Sequence, residues 1–326
     1  AFDHRHIFVD PQPDAARSFQ ERERLFNLPR SSWADFDTTI ISQGGGVFAR
    51  SEKRINLSEA ACEALGIETG SGALTPAELI THILRAPVDI LWNGGIGTYV
   101  KATSQTHADV GDRANDAIRI NGSELRCKII GEGGNLGLTQ LGRIEAALNG
   151  VRLNTDAIDN SAGVDTSDHE VNLKILVGLR RSLGYEERNG LLRSMTDDVA
   201  AMVLHDNIAQ NEVLTFAHAQ AHSMLTVHGR LIEAWEHAGS LNRTLEALPD
   251  QAALSRRNAV GIGLTRPELS VLLAHAKLAL TQELLAGSAI NGDWAQEWLL
   301  DYFPQRLRES WREEIVSHPL RREIIA

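Results

Sequence analysis

The chain has 326 residues, 43% of them hydrophobic and 23% charged, with a formal net charge of −11. That length allows two domains with cores of their own, and the acidic balance argues against a general nucleic-acid binder, which needs clustered cations against phosphates. Two distant cysteines, Cys62 and Cys127, speak against a disulfide framework or zinc ribbon and fit a reducing cytoplasm.

Residues 6–10 (HIFVD) read as a short apolar strand ending in Asp10. Residues 14–28 are charged with apolar punctuation, the pattern of a surface helix, and the β-branched residues 38–42 (TTIIS) predict a second strand. Thr75, Pro76 and Glu78 form a capping box with proline at the first helical position, and Pro87 stops that helix. Residues 88–92 (VDILW) and 127–131 (CKIIG) are candidate buried strands. Thr139 caps a helix with Leu141, Ile144 and Leu148 on one face, ended by Gly150, and residues 151–158 (VRLNTDAI) predict another strand.

After about residue 175 the strand signals stop. Residues 191–214 and 230–248 have helical periodicity, Thr265 and Glu268 form a second capping box, and Pro249 and residues 258–264 (NAVGIGL) break the helices. No apolar run approaches the roughly 20 residues of a membrane span, and no secretory signal is visible. The start without Met and the end at "LRREIIA" lead us to expect an internal piece of a longer polypeptide.

Strands alternating with helices predict an α/β domain with a mostly parallel sheet, followed by an all-α domain. In parallel sheets, ligands bind beyond the carboxyl ends of the strands. Three polar or glycine-rich stretches are expected there: residues 93–99 (NGGIGTY), 131–139 (GEGGNLGLT) and 159–170 (DNSAGVDTSDHE).

Taken alone, 131–137 has the spacing G-x-G-x-x-x-G, one off the dinucleotide fingerprint. It could be a tight turn, a pyrophosphate cradle with Asp156 as the ribose acid, or a loop offering Asn135 to another ligand. Glu132 would repel a pyrophosphate if it faced one. Asp165, His169 and their acidic neighbours match no calcium loop. His218 and His222 lack the glutamate of HExxH, and Asp109, Asp112 and Asp116 have the spacing of a solvated helix face. No metal site is expected. The residues alone reach a two-domain protein with a loop-built site.

The segments "KIIGEGGNLGLTQLGRIEAALNGVRLNTDAIDNSAGVDTSDHEVN", "ISQGGGVFAR", "ILRAPVDILWNGGIGTYVKA" and "LTRPELSVLLAHAK" go further. They closely resemble the large bacterial NAD-specific glutamate dehydrogenases, and the resemblance covers nearly the whole chain. It implies residues 1–178 as an incomplete Rossmann-type NAD-binding domain, lacking its first strand and glycine fingerprint, and residues 179–326 as a helical C-terminal domain. Asp10 would accept hydrogen bonds from the adenosine ribose and favour NAD over NADP. Asp89 to Gly95 is similar to the D-x-x-x-P-A-A segment of the small glutamate dehydrogenases, with Asn93-Gly94-Gly95 in place of Pro-Ala-Ala, and would lie near the nicotinamide.

Asn135, in a segment like E-G-A-N-x-P-x-T, and Asn160 would contact the cofactor. Ser167 would hold the substrate's side-chain carboxylate. The implied reaction is oxidative deamination of L-glutamate to 2-oxoglutarate and ammonium. The catalytic lysine and acid-base aspartate have no counterpart in this chain and are expected upstream. A cytoplasmic homo-oligomer, considered as a tetramer, with no nucleic-acid or membrane partner completes the expectation. The alternative is an NAD-dependent dehydrogenase of another amino acid, with the helical half as a regulatory or assembly module.

Overall fold

The computed structural model describes residues 1–68, 70 and 72–326. The chain divides into two compact units, Ala1–Leu153 and Asn154–Ala326. Among its described residues the first holds six short strands: β1 (His6–Val9), β2 (Gly46–Ala49), β3 (Ile90–Asn93), β4 (Val100–Lys101), β5 (Ile120–Asn121) and β6 (Ile129–Glu132). Its helices are α1 (Ala15–Asn27), α2 (Glu59–Leu65), α3 (Pro76–Leu84), α4 (His107–Val110) and α5 (Gln140–Leu148).

The strands pair two by two. β1 runs antiparallel to β2, with Ile7 opposite Phe48, whereas β3 lies parallel to β6 and β4 parallel to β5. Ile7 and Val9 of β1, Ile80 of α3, Val100, Ile120, Ile130 and Leu138 share one core. The helix predictions at Asp14, Thr75 and Thr139 hold. Each of those side chains accepts a hydrogen bond from a first-turn N–H, and Glu78 closes the reciprocal box at Thr75.

Three local expectations are corrected. Residues 38–40 form a 3₁₀ turn, because the Asp37 carboxylate accepts from the Thr39 N–H and hydroxyl and offers the backbone a local alternative to pairing. The partner of β1 is β2 instead. The strand expected over 151–158 shrinks to a single bridge, Arg152 to Ile129, before α6 (Asp156–Asp159) begins. On α5, Leu141 and Leu148 are exposed while Gly142, Arg143, Ile144 and Ala146 are buried. The inner face was misjudged because it carries an arginine with a buried acidic partner.

The second unit is helical, as expected. After α6 come α7 (Ser161–Leu179), α8 (Tyr185–Ser194), α9 (Thr196–Ala219), α10 (Leu225–His237), α11 (Gln251–Ala259) and α12 (Arg266–Ala286). The chain continues with α13 (Asp293–Asp301), α14 (Gln305–Arg308), α15 (Arg312–Val316) and α16 (Arg321–Ile325). Residues 159–170, expected as a loop at a sheet edge, lie mostly within α7. Leu173, Leu176 and Val177 of α7 enter a core with Met195, Leu299, Phe303, Trp311 and Ile315. This packing gives residues 154–178 to the second compact unit, whereas the sequence-level division falls after residue 178.

A second core gathers Leu214, Leu225, Ile232, Leu254, Leu264 and Leu269. By length and composition α12 could cross a membrane, which the sequence-level expectation of no such segment missed. Its first turns, Pro267 to Ser270, are buried, and Glu268 there is paired with Arg257 at 2.7 and 2.8 Å. A buried ion pair of this kind suits a core helix of a globular unit.

Candidate functional site

Parallel pairing of β3 and β6 sets Asn93 opposite Glu132, so the loops that follow both strands leave from the same edge. The Gly134 N–H donates to the Asn93 carbonyl at 3.0 Å. A Cβ on Gly134 would stand 2.5 Å from the Gly95 carbonyl oxygen, so only glycine permits this approach of two backbones. Gly94 and Gly95 are exposed, and a Cβ on Gly95 would meet no atom within 4 Å. Bare backbone thus faces open space beside Asn135, which is also exposed. The sequence-predicted residues Gly94, Gly95 and Asn135 therefore come together in one loop cluster.

The chain then returns to the core. Leu136 takes a left-handed φ of 57°, an uncommon conformation for a branched apolar residue. Its carbonyl accepts from the Thr98 hydroxyl at 2.7 Å, and the Gly137 carbonyl accepts from the Tyr99 N–H at 2.8 Å. The loop is pinned on both sides of a strained position, a pattern found at ligand-binding turns.

Glu132, the residue that would repel a pyrophosphate, is 1% exposed and bound to Arg143. Its carboxylate also accepts from the Leu138 N–H at 3.3 Å. It braces the loop from inside. Sequence reasoning missed this pair; its signal is an acid at a strand end and an arginine one helical turn past the Thr139 cap. Nearby, the buried Asn93 Nδ2 has no hydrogen-bond acceptor.

Asp10 follows β1 directly. Its Oδ1 accepts from both the backbone N–H and the hydroxyl of Ser42, while Oδ2 is buried without a hydrogen-bond partner. One oxygen is thus fixed and the other left uncommitted, which fits a carboxylate held for a diol. Ser42 was not singled out from sequence.

Asn160 and Ser167 belong to the second unit. Asn160 joins α6 to α7, and Ser167 is exposed on α7. The neighbouring Ser161 hydroxyl donates to Asn207 Oδ1 at 2.6 Å and accepts from Gln210 Nε2 at 2.6 Å, fixing this corner against α9. An open hollow of about 470 Å³ lies among Leu125–Ile129 and Asn149–Arg152. It sits by the amino end of β6, opposite the loop cluster, and contains none of the predicted residues.

Glycine-rich loops clustered beyond the carboxyl ends of parallel strands mark an α/β protein, a class that commonly binds ligands at the strand ends. Residues 1–217 match the family profile described as bacterial NAD-glutamate dehydrogenase, catalytic domain, and residues 261–326 the one described as glutamate dehydrogenase, C-terminal. The chain belongs to the bacterial NAD-glutamate dehydrogenase family. It is 54% identical over 332 residues to the NAD-specific glutamate dehydrogenase of Mycobacterium tuberculosis. It is 49% identical over 329 residues to the proteins of that name from Halomonas elongata and Pseudomonas aeruginosa. Each match covers 100% of this chain and 20% of the relative, so the chain spans a fifth of the length of these curated relatives.

Proposed function

We propose that this chain forms part of the cofactor cleft of an NAD-dependent glutamate dehydrogenase. That enzyme would oxidise L-glutamate with water to 2-oxoglutarate and ammonium, with NAD as hydride acceptor. The carrying observation is the convergence of Asn93-Gly94-Gly95 with Gly134-Asn135, whose bare, pinned backbone suits a flat ring lying close against it.

Asp10 would bind the adenosine ribose through its uncommitted oxygen and disfavour a 2′-phosphate by charge. Asn135 and Asn160 would hold the cofactor, and Ser167 the substrate's side-chain carboxylate. The groups that polarise the carbonyl and move protons are placed outside this chain. The strand pairs of the first unit are read as part of an incomplete Rossmann-type domain over residues 1–178, with residues 179–326 as the helical C-terminal domain. Two free, buried cysteines support a cytoplasmic setting, and the net charge of −11 supports a protein without a nucleic-acid partner. No membrane partner and a homo-oligomeric parent, a tetramer, complete the reading.

The test is steady-state kinetics of the full-length protein carrying Asn135→Ala or Asn160→Ala. A rise of tenfold or so in the KM for NAD is expected, corresponding to about 1.4 kcal/mol of lost binding. Unchanged KM in both variants would remove these residues from the cofactor site.

A further inference from the structure

Away from the loop cluster, the helical unit brings together three groups that the proposed dehydrogenase chemistry does not use. Asp165 and His169 are four residues apart on α7 and therefore share a face. Asp206 comes from α9. One ligand atom from each of the three lies within 4.8 Å of the others, and His169 Nε2 is 3.7 Å from Asp165 Oδ1. A first-row divalent ion with bonds of about 2.1 Å places tetrahedral ligands about 3.4 Å apart, so small rotamer adjustments would close the set.

His169 supplies an independent observation. It is 2% exposed, yet neither ring nitrogen has a hydrogen-bond partner. A buried imidazole normally satisfies at least one nitrogen. Tyr302 stacks on the ring at 4.5 Å and 22°, and its hydroxyl accepts from Asn172 Nδ2 at 2.9 Å, so the ring's orientation is fixed by its surroundings. What remains open to it is the acidic pair.

The electrostatics point the same way. Asp206 and Asp168 place like charge beside Asp165, and Lys277 is a lysine that faces it. Three carboxylates close to one imidazole make a site deficient in positive charge. Ser167 is exposed and about 200° around the helix from Asp165, so these ligands are separate from the proposed substrate contact.

We propose that Asp165, His169 and Asp206 form a binding site for a divalent first-row transition cation that clamps α7 to α9. One imidazole and two carboxylates make a borderline nitrogen-oxygen donor set, suited to Zn²⁺, Co²⁺, Mn²⁺ or Fe²⁺ rather than to thiophilic Cu⁺. Sequence spacing alone does not assemble this set, because Asp206 lies 37 positions from His169 in the chain.

The test uses the full-length protein, stripped with a chelator and titrated with Co²⁺. Saturation near one equivalent per chain with a visible d–d absorption band is expected, together with displacement by Zn²⁺. Asp206→Asn should weaken Co²⁺ binding more than tenfold. Asp206 is exposed, so this variant should keep its circular dichroism and its melting temperature without metal. Added Co²⁺ should raise the melting temperature of the parent and not that of the variant. His169→Gln should also lose the band. Absence of a saturable band, or equal affinity in the parent, Asp165→Asn and Asp206→Asn proteins, would overturn the site. So would nitrogen chemical shifts showing His169 as an imidazolium throughout a Co²⁺ or Zn²⁺ titration.

Discussion

The Arg143 guanidinium grips the Glu132 carboxylate at two points, Nε to Oε1 at 2.7 Å and Nη2 to Oε2 at 2.8 Å, with both side chains almost wholly buried. The pair links the last residue of β6 to the first turns of α5, and the Gly133–Leu138 loop hangs between them. Removing one member of a buried pair leaves an uncompensated charge, which costs about 3–5 kcal/mol. Arg143→Met should lower the urea unfolding free energy by about that amount. Glu132→Gln added to Arg143→Met should restore most of it, because glutamine keeps an acceptor for the Leu138 N–H without the charge. A double variant as unstable as the single one would mean that the arginine acts through packing alone.

Gly134 tests the contact between the two loops. A methyl group there meets the Gly95 carbonyl oxygen at 2.5 Å and its carbonyl carbon at 3.0 Å, both backbone atoms that cannot rotate away. Overpacking of this kind costs about 1–3 kcal/mol. Gly134→Ala should separate the loops and raise the KM for NAD in the full-length protein, with a smaller change in kcat. Gly178→Ala on α7 is the control, since its Cβ would meet no atom within 4 Å. Equal KM values in the two variants would detach the loop contact from cofactor binding.

These residues also show what the sequence could disclose. Helix starts were legible because a cap is a local event: Thr75 and Thr139 bond to N–H groups three residues on. Parallel pairing of β3 with β6 was implied by apolar runs followed by polar loops. Long-range pairings were not legible. Ser42 meets Asp10 across 32 residues, and Asp206 meets His169 across two helices. The polar stretch 159–170 misled because its short side chains suggested a loop, whereas the core residues that hold it as a helix, Leu173 to Val177, lie just beyond it. Arg143 sat on a face where periodicity asks for an apolar residue, and only its acidic partner accounts for it.

Cys127 is 5% exposed, and burial pushes its thiol up to about 11. At pH 8 about one molecule in a thousand would carry the reactive thiolate, and that one is covered. Iodoacetamide should leave Cys127 unlabelled in the folded protein over hours and modify it promptly in urea, as read by peptide mass spectrometry. Rapid labelling of the native protein at pH 8 would show that the segment leading into β6 opens frequently.

His318 provides the pH test. The Leu320 N–H donates to Nδ1 at 3.1 Å, so the proton of the neutral ring sits on Nε2, which donates to the Asn172 carbonyl at 3.2 Å. Burial lowers its pKa below the usual 6.5, against smaller raising effects from the Asn172 carbonyl and from Glu323. As pH falls through about 6.5 the unfolded chain takes up a proton that the folded ring refuses, so stability declines toward acid. One group can contribute a slope of at most about 1.4 kcal/mol per pH unit, between 6.5 and its lower folded value. His82, His218 and His228 are also lowered by burial and act with the same sign, so the informative quantity is a difference. The unfolding free energy of His318→Gln, measured in urea from pH 7.5 to 5, should fall less steeply than that of the parent. Glutamine can still donate to Asn172 but takes up no proton in this range. Parallel curves for the two proteins would mean that His318 takes up its proton as readily in the fold as in the unfolded chain, so that burial does not lower its pKa.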